Sequence, residues 1–120
     1  MMTFESIKTI RDLVTEAGKA YENRVYLRTL RNNMIHDTTF GQFSLECNAI
    51  AAWTAEQSKN LGHQARVAMI SSNSALYVRM MLGVMVGGGT TVFLDPQATE
   101  DVICACLNKA EADILIWEPK

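Results

Sequence analysis

Three serines that follow a short apolar run are the side chains of this chain most readily imagined as nucleophiles. Ser71, Ser72 and Ser74 come directly after the segment RVAMI. A serine hydroxyl is a weak nucleophile unless a neighbouring base, usually a histidine, takes its proton. Neither His36 nor His63 is close to these serines in the sequence. We therefore predict that the serines form a turn and cap the next helix, and that both histidines are solvated turn or loop residues.

Three consecutive glycines, Gly87 to Gly89, suggest at first a phosphate-binding loop. Glycines that bind nucleotides follow a strand and open a helix, because the free amides of the helix start face the phosphate. Here the glycines come before a strand-like segment, residues 90–94, instead of after one. They are therefore predicted to end a helix.

The three cysteines show no spacing typical of metal ligands. Cys104 and Cys106 are two residues apart on a predicted helix, so their side chains diverge by about 200°. With Cys47 they are predicted to be buried free thiols. An odd number of cysteines without a secretion signal is typical of a reducing compartment, and we predict a cytoplasmic protein.

Length, composition and charge limit the class of protein. The chain has 120 residues, 48% of them apolar, and a net charge of −2, which predicts one domain over residues 1–120 with a hydrophobic core. Lysine and arginine are scattered among acidic residues, which argues against a nucleic-acid partner. The uncharged segment 80–94 is too short to cross a bilayer core of about 30 Å, so no transmembrane segment is predicted.

The first 38 residues are predicted to form a helix and a hairpin. Apolar residues recur at helical spacing within residues 4–22, which indicates an amphipathic helix. Residues 25–30 and 34–38 are strand-like, and Asn32 with Asn33 supplies the turn between them.

Residues 39–120 alternate helical and strand patterns. Thr39 stands three residues before Gln42, a capping box that predicts a helix start, and Gly62 stops that helix. Strands are predicted at residues 66–71, 90–94 and 114–117. Gly83 and Gly87 lie one turn apart on the helix after the first strand, which predicts that this helix lies close on the sheet. The helix that begins at Thr99 is predicted to pack through Val102, Ile103, Cys106, Leu107 and Ala110.

Two right-handed crossovers would place the three strands parallel in one sheet with helices on both faces. The predicted fold class is therefore α/β: an N-terminal helix and β-hairpin, followed by half of a doubly wound, Rossmann- or flavodoxin-like, three-stranded parallel sheet. Ligands of such sheets bind at the carboxyl ends of the strands, where the strand order reverses. We predict that the reversal requires a further strand after Lys120, so that this chain holds scaffold without a completed crevice.

The elements from Thr39 onward resemble, in order and spacing, the opening of the adenylate-forming acyl-CoA synthetases, the AMP-binding ligase superfamily. The matching positions are Thr39, Phe40, Gln42 and Phe43 at the helix start, Leu61 and Gly62 at its end, Arg66 to Ala68 ("RVA"), Asn73, Ser74, Tyr77, Gly83, Gly88, Leu94 to Pro96 ("LDP") and residues 112–117. Residues 7–28 most resemble long-chain fatty acid or other acyl-CoA ligases.

The resemblance implies a two-step ligase. Such an enzyme activates a fatty or other carboxylic acid with Mg-ATP to an acyl-adenylate, and then transfers the acyl group to coenzyme A. The phosphate loop of the family, its adenine and ribose contacts and its catalytic lysine have no counterpart here. No catalytic, cofactor-binding or metal-binding residue is therefore assigned, and we predict that this polypeptide alone does not catalyse adenylation.

Two alternatives to the ligase interpretation exist. Asp95 at a strand end resembles the phosphorylated aspartate of response-regulator receivers, but the paired acids of that family after the first strand are absent, since residues 69–73 are MISSN. The second alternative is a stand-alone α/β binding or assembly module that retains the fold without the ligase chemistry. Whether the chain is part of a ligase or such a module, a half-sheet that ends in DILIW leaves an uncovered edge or face, which predicts self-association as a dimer or a swapped assembly.

Overall fold

The computed structural model describes residues 2–118. A short 3₁₀ turn, Phe4–Ser6, comes first. The elements that follow are α1 (Ile10–Ala20), β1 (Val25–Arg31), β2 (Met34–Thr39), α2 (Phe40–Leu61), β3 (Arg66–Ile70), α3 (Ala75–Val86), β4 (Thr90–Phe93), α4 (Glu100–Ala110) and β5 (Ile114–Trp117). The predicted fold class is confirmed: a helix and a hairpin precede a three-stranded parallel sheet with helices.

The first helix is shorter than the apolar periodicity predicts. It begins after Thr9, whose side chain accepts a hydrogen bond from the backbone N–H of Asp12 at 3.0 Å. Asp12 in turn accepts from the backbone N–H of Lys8 at 3.0 Å. This reciprocal cap fixes the start of α1 at Ile10 and separates it from the preceding 3₁₀ turn.

The hairpin is confirmed. Asn32 and Asn33 both have positive φ, 53° and 60°, as a two-residue type I′ turn requires and as asparagine tolerates. Leu30 pairs with Ile35 across it. Further along, Arg28 donates two hydrogen bonds to the carboxylate of Asp37, at 2.8 and 3.0 Å, and these hydrogen bonds hold the pKa of Asp37 below its usual value.

The predicted start and end of α2 are both confirmed. The Thr39 hydroxyl accepts from the backbone N–H of Gln42 at 3.1 Å, and the Gln42 side chain accepts from the backbone N–H of Thr39 at 2.9 Å. Gly62 ends the helix with φ of 77°, a conformation that favours glycine because it has no Cβ.

The glycine pair of α3 faces a helix and not the sheet. A Cβ built on Gly83 would lie 2.5 Å from Cβ of Ile50 on α2, and one built on Gly87 would lie 2.5 Å from the carbonyl oxygen of Ala51. The prediction that these glycines bring α3 close to the sheet is therefore wrong. Small residues instead allow close contact between α2 and α3, and the glycine run ends α3 as predicted.

The sheet has the order β4-β3-β5, with both pairs parallel. The chain leaves β3 for β4 on one side and then crosses to β5 on the other. Right-handed connections therefore put α3 and α4 on opposite faces. The strand order reverses between β3 and β5, within the described chain. The prediction that this reversal needs a strand after Lys120 is wrong, because sequence pattern gives the order of strands along the chain but not across the sheet.

The core consists of two clusters. One joins α1, α2 and the end of α3 through Val14, Phe43, Cys47, Ala51 and Val86, and the other joins β3 to α3 through Ala65, Val67 and Val84. Cys47 is buried as predicted, and burial raises the pKa of its thiol to about 11.

The prediction for α4 is wrong in two respects. None of its residues is fully buried: Ile103, Leu107 and Ala110 are half-buried, but Val102 and Cys106 are exposed. Cys104 is exposed as well, so only one of the three predicted buried thiols is buried. The three half-buried residues recur at helical spacing, so they share one narrow face of the helix.

Candidate functional site

A cavity of about 440 Å³ lies at the carboxyl ends of the parallel strands. It is placed beside the switch in strand order between β3 and β5, where doubly wound sheets bind ligands. Its lining comes from the ends of β3 and β5 and from the loop after β4: Ile70, Ser71, Ser72, Pro96, Gln97, Trp117 and Glu118. We refer to this cavity as the strand-end crevice.

Glu118 is the one ionisable side chain of this lining. The Ser71 hydroxyl lies 2.8 Å from its Oε2, and the Ser72 hydroxyl lies 3.4 Å from the same oxygen. The backbone N–H of Glu118 donates to the carbonyl of Ile70 at 3.1 Å, which extends the β3–β5 ladder by one residue. The carboxylate is thus held in place by the turn after β3.

The apolar wall of the crevice is built from two strand partners. Ile70 and Trp117 are opposite each other in the β3–β5 register, so their side chains project from the same face of the sheet. The indole of Trp117 remains 64% exposed. A large exposed ring next to a carboxylate gives a surface on which a planar or apolar group could stack.

The polar residues singled out in the sequence mostly have structural roles. Ser74 caps α3 as predicted, accepting from the backbone N–H of Tyr77 at 3.2 Å. Asp95 is exposed and accepts from the backbone N–H of Gln97 at 2.9 Å, which forms the turn after β4. Asn73 does not line the crevice. It borders a different cleft, next to the hairpin residue His36.

His63 lies at the opposite, amino-terminal end of the sheet. Its Nε2 is 3.0 Å from Oδ1 of Asp113, and Oδ2 of Asp113 accepts from the backbone N–H of Arg66 at 2.9 Å. This hydrogen bond from Arg66, with a contribution from His63, holds the pKa of Asp113 below its usual value. His63 is partly exposed as predicted, but it also ties the start of β5 to the start of β3.

The charges of the strand-end crevice do not suit a triphosphate. The seven described residues that line it include one carboxylate and no lysine, arginine or histidine. Phosphoryl transfer requires cations or amide donors around the transferred charge. The described lining therefore does not fit Mg-ATP. Elsewhere in residues 2–118, no group of three histidine, cysteine, aspartate or glutamate side chains is placed to hold a metal ion.

Sequence reasoning assigned no site residues and missed Trp117 and Glu118. Trp117 was interpreted only as the end of an apolar strand, and Glu118 is the residue that follows it. The signal that could have found them is the order of the strands, because it decides which strand ends are neighbours.

No helix in the described part of the chain is long and apolar enough to span a bilayer.

The strand order defines a doubly wound α/β fold with a crevice at the carboxyl ends of its strands. The sequence matches the AMP-binding enzymes over residues 14–120, and the chain belongs to this family. No curated protein sequence matches the chain significantly.

Solved structures similar to this chain are adenylation enzymes. The N-terminal subdomain of Klebsiella oxytoca NpsA, in complex with 3-hydroxyanthranilyl-AMSN, matches with a TM-score of 0.77 and 25% identity, over 94% of this chain and 28% of that one. A fatty acyl-adenylate ligase from Legionella pneumophila, in complex with acyl adenylate and pyrophosphate, matches with a TM-score of 0.78 and 18% identity, over 98% of this chain and 21% of that one. The chain thus spans about a quarter of the length of these proteins, and it has the fold of part of the N-terminal subdomain of adenylate-forming enzymes.

Proposed function

We propose that this chain supplies one wall of the ligand site of an ATP-dependent acyl-CoA synthetase of the cytoplasm. Such an enzyme joins a fatty or other carboxylic acid to AMP, with Mg-ATP as the source, and then transfers the acyl group to coenzyme A. The observation that carries the proposal is the family match over residues 14–120. The similarity of residues 7–28 to acyl-CoA ligases favours coenzyme A as the acceptor.

The chemistry of the crevice fits a supporting role and not a catalytic one. The Ile70–Trp117 wall offers an apolar surface, and the Ser71–Glu118 pair offers a fixed hydrogen-bond acceptor. Neither stabilises the negative charge that develops during adenylation. The phosphates would therefore be held by residues outside this described lining.

The first prediction is that the purified chain neither exchanges pyrophosphate into ATP nor binds Mg-ATP. Isothermal titration with Mg-ATP, and in parallel with a fatty acyl-adenylate analogue, tests binding. A pyrophosphate-exchange assay tests catalysis. We expect no saturable heat from Mg-ATP and no exchange above a blank without protein. Exchange by the purified chain would overturn the prediction.

The titration with the analogue also separates this proposal from the stand-alone binding module. Saturable binding that Trp117→Ala abolishes would favour the module, because the strand-end crevice would then hold a ligand by itself. The matched control is Trp53→Phe, since Trp53 is half-buried against the other face of the sheet and does not line the crevice.

The second prediction concerns self-association. In the described sheet β4 and β5 are both edge strands, and Leu115 on β5 is 38% exposed. Exposed apolar edges favour pairing with another chain. We expect a dimer at tens of micromolar in sedimentation experiments, and a monomer for Leu115→Lys. Ala105→Lys, an exposed position on α4, should leave the dimer intact. A monomeric parent chain would contradict the prediction.

A further inference from the structure

A second cavity, of about 260 Å³, lies between α1, the hairpin and the start of α2. It shares no lining residue with the strand-end crevice. Its walls are Leu13 and Ala17 from α1, Tyr21 directly after that helix, Tyr26 from β1, and Phe40 and Phe43 from α2, with Met2, Val14 and Leu82 completing them. We refer to it as the aromatic cavity. None of its described lining residues is charged.

Four aromatic rings form a continuous part of the wall. The ring centroids of Tyr21 and Phe40 are 5.7 Å apart, those of Tyr26 and Phe40 4.8 Å, and those of Tyr26 and Phe43 4.5 Å, all in tilted arrangements. Ring pairs at these distances and angles attract one another. The wall is therefore a preformed surface whose shape does not depend on a ligand.

The aromatic cavity is open to solvent although its floor belongs to the core. Val14 and Phe43 are almost fully buried, at 7% and 4% exposure, whereas Leu13 and Tyr26 are 40% and 37% exposed. Apolar surface in a concave site gains free energy when another apolar group removes it from water. At 260 Å³ the cavity lies just below the range of about 300–1,000 Å³ that holds drug-sized ligands. It suits a single alkyl chain.

One cation stacks on a wall residue of this cavity, Tyr21, although it does not itself line the cavity. The guanidinium carbon of Arg24 is 5.1 Å from the centroid of the Tyr21 ring. In the described part of the chain the ion pairs are Arg28–Asp37, His63–Asp113, Arg66–Glu111 and Arg79–Glu46. No described carboxylate is thus paired with Arg24. A positive group next to an uncharged apolar cavity complements a molecule with an apolar chain and an anionic head.

We propose that the aromatic cavity binds the alkyl chain of a free medium-chain fatty acid, whose carboxylate pairs with Arg24. The chain lies against the four rings and Leu13, and the head group stays at the solvent-exposed mouth. This site is separate from the strand-end crevice, and the proposal does not depend on the ligase function.

The cavity favours a single free acid over a membrane surface. Its apolar surface is concave and its floor is the protein core, so one chain can enter it while neighbouring lipids cannot follow. Among the described residues, one cation, Arg24, stacks on an aromatic ring of the wall, whereas binding to an anionic bilayer uses several basic residues together.

The test is a titration of the full chain with hexanoate, octanoate and decanoate, followed by calorimetry and by amide chemical shifts. Each added methylene group that enters the cavity should tighten binding about fourfold, and the gain should stop once the cavity is filled. Shift changes should be confined to residues 13–26 and 40–43 and to the other two wall residues, Met2 and Leu82. The uncharged decanol should bind as well, because the alkyl chain carries most of the contact.

Two variants separate the cavity from the cation. Ala17→Leu projects a larger side chain into the cavity and should weaken decanoate and decanol alike by about tenfold or more, since excluding two methylene groups is sufficient for that. Arg24→Gln should weaken decanoate about two- to fivefold and leave decanol unchanged. Ala105→Leu, on the exposed side of α4, is the matched control and should change neither.

Three outcomes would overturn the proposal. The first is affinity for the acids that does not depend on chain length. The second is decanoate binding to Ala17→Leu as tight as to the parent chain. The third is binding to phosphatidylcholine–phosphatidylserine vesicles without saturable binding of decanoate. If Ala17→Leu fails to fold, the chemical shifts of the parent chain still show where the ligand binds. Changes at residues 70–72 and 117–118 would place it in the strand-end crevice and would contradict the proposal.

Discussion

Replacing Gly83 by leucine is expected to lower the free energy of unfolding by about 1–3 kcal/mol through overpacking. The Cβ atom alone would lie 2.5 Å from Cβ and 2.6 Å from Cγ2 of Ile50. Ile50 is β-branched and sits in the middle of α2, so its side chain has one strongly preferred rotamer and cannot turn away. Relief therefore requires α3 to move off α2. Urea denaturation followed by circular dichroism measures the loss.

The sign of this effect distinguishes packing from helix propensity. In an exposed helix, leucine would be favoured over glycine by nearly 1 kcal/mol. Ala52→Leu, on the exposed side of α2, adds the same bulk without a close neighbour and should change stability by less than about 0.5 kcal/mol. A Gly83→Leu variant as stable as the parent chain would show that α2 and α3 are not in close contact.

Arg79→Met is the second large expected effect, a loss of about 1–2 kcal/mol. Arg79 on α3 forms an ion pair with Glu46 on α2 and donates from Nη2 to the Thr38 hydroxyl on β2 at 3.0 Å. The side chains of Arg79 and Glu46 are 25% and 41% exposed, so the expected loss lies between that of a surface pair and that of a buried pair. Methionine keeps the apolar stem but leaves Glu46 and Thr38 without this donor.

The comparison for Arg79→Met is Arg28→Met. Arg28 also holds a carboxylate with two hydrogen bonds, but it does so on the exposed face of the hairpin, where solvent screens the pair and the loss should be smaller than that of Arg79→Met. Hydrogen exchange adds a local readout, because Arg79→Met should speed exchange around Glu46 on α2, whereas Arg28→Met should act on the hairpin, where its partner Asp37 lies. Equal losses for the two variants would mean that the Arg79 contact behaves as a surface pair.

The parts of the fold that sequence predicted well depend on neighbouring residues. The Asn32–Asn33 turn, the Thr39–Gln42 capping box and the Gly62 stop each need only a few residues with suitable backbone preferences. The hairpin and both ends of α2 follow from them. The start of α1 was missed because Thr9 and Asp12 form a cap within a stretch whose apolar periodicity continues through it.

The features that sequence did not predict depend on contacts between distant segments. Gly83 and Gly87 were recognised as sites where α3 closely approaches another element. That this element is α2 and not the sheet follows from how the helices are layered. The position of β5 next to β3 is likewise not encoded in any local pattern. Because the crevice is defined by those neighbours, Trp117 and Glu118 could not be assigned to it from sequence.

The β3–β5 pairing has a kinetic consequence. The Arg28 and Asp37 partners of the hairpin are nine residues apart, whereas Arg66 and Asp113 at the start of the β3–β5 pair are 47 apart. Closing the longer loop costs more chain entropy, and this cost comes before any contact between its ends contributes favourable free energy. During synthesis the hairpin and α2 can therefore form while β3 still has an open edge, and β5 is the last of the described strands to join the sheet. Until then β3 can pair with a neighbouring chain, so aggregation competes with the docking of β5.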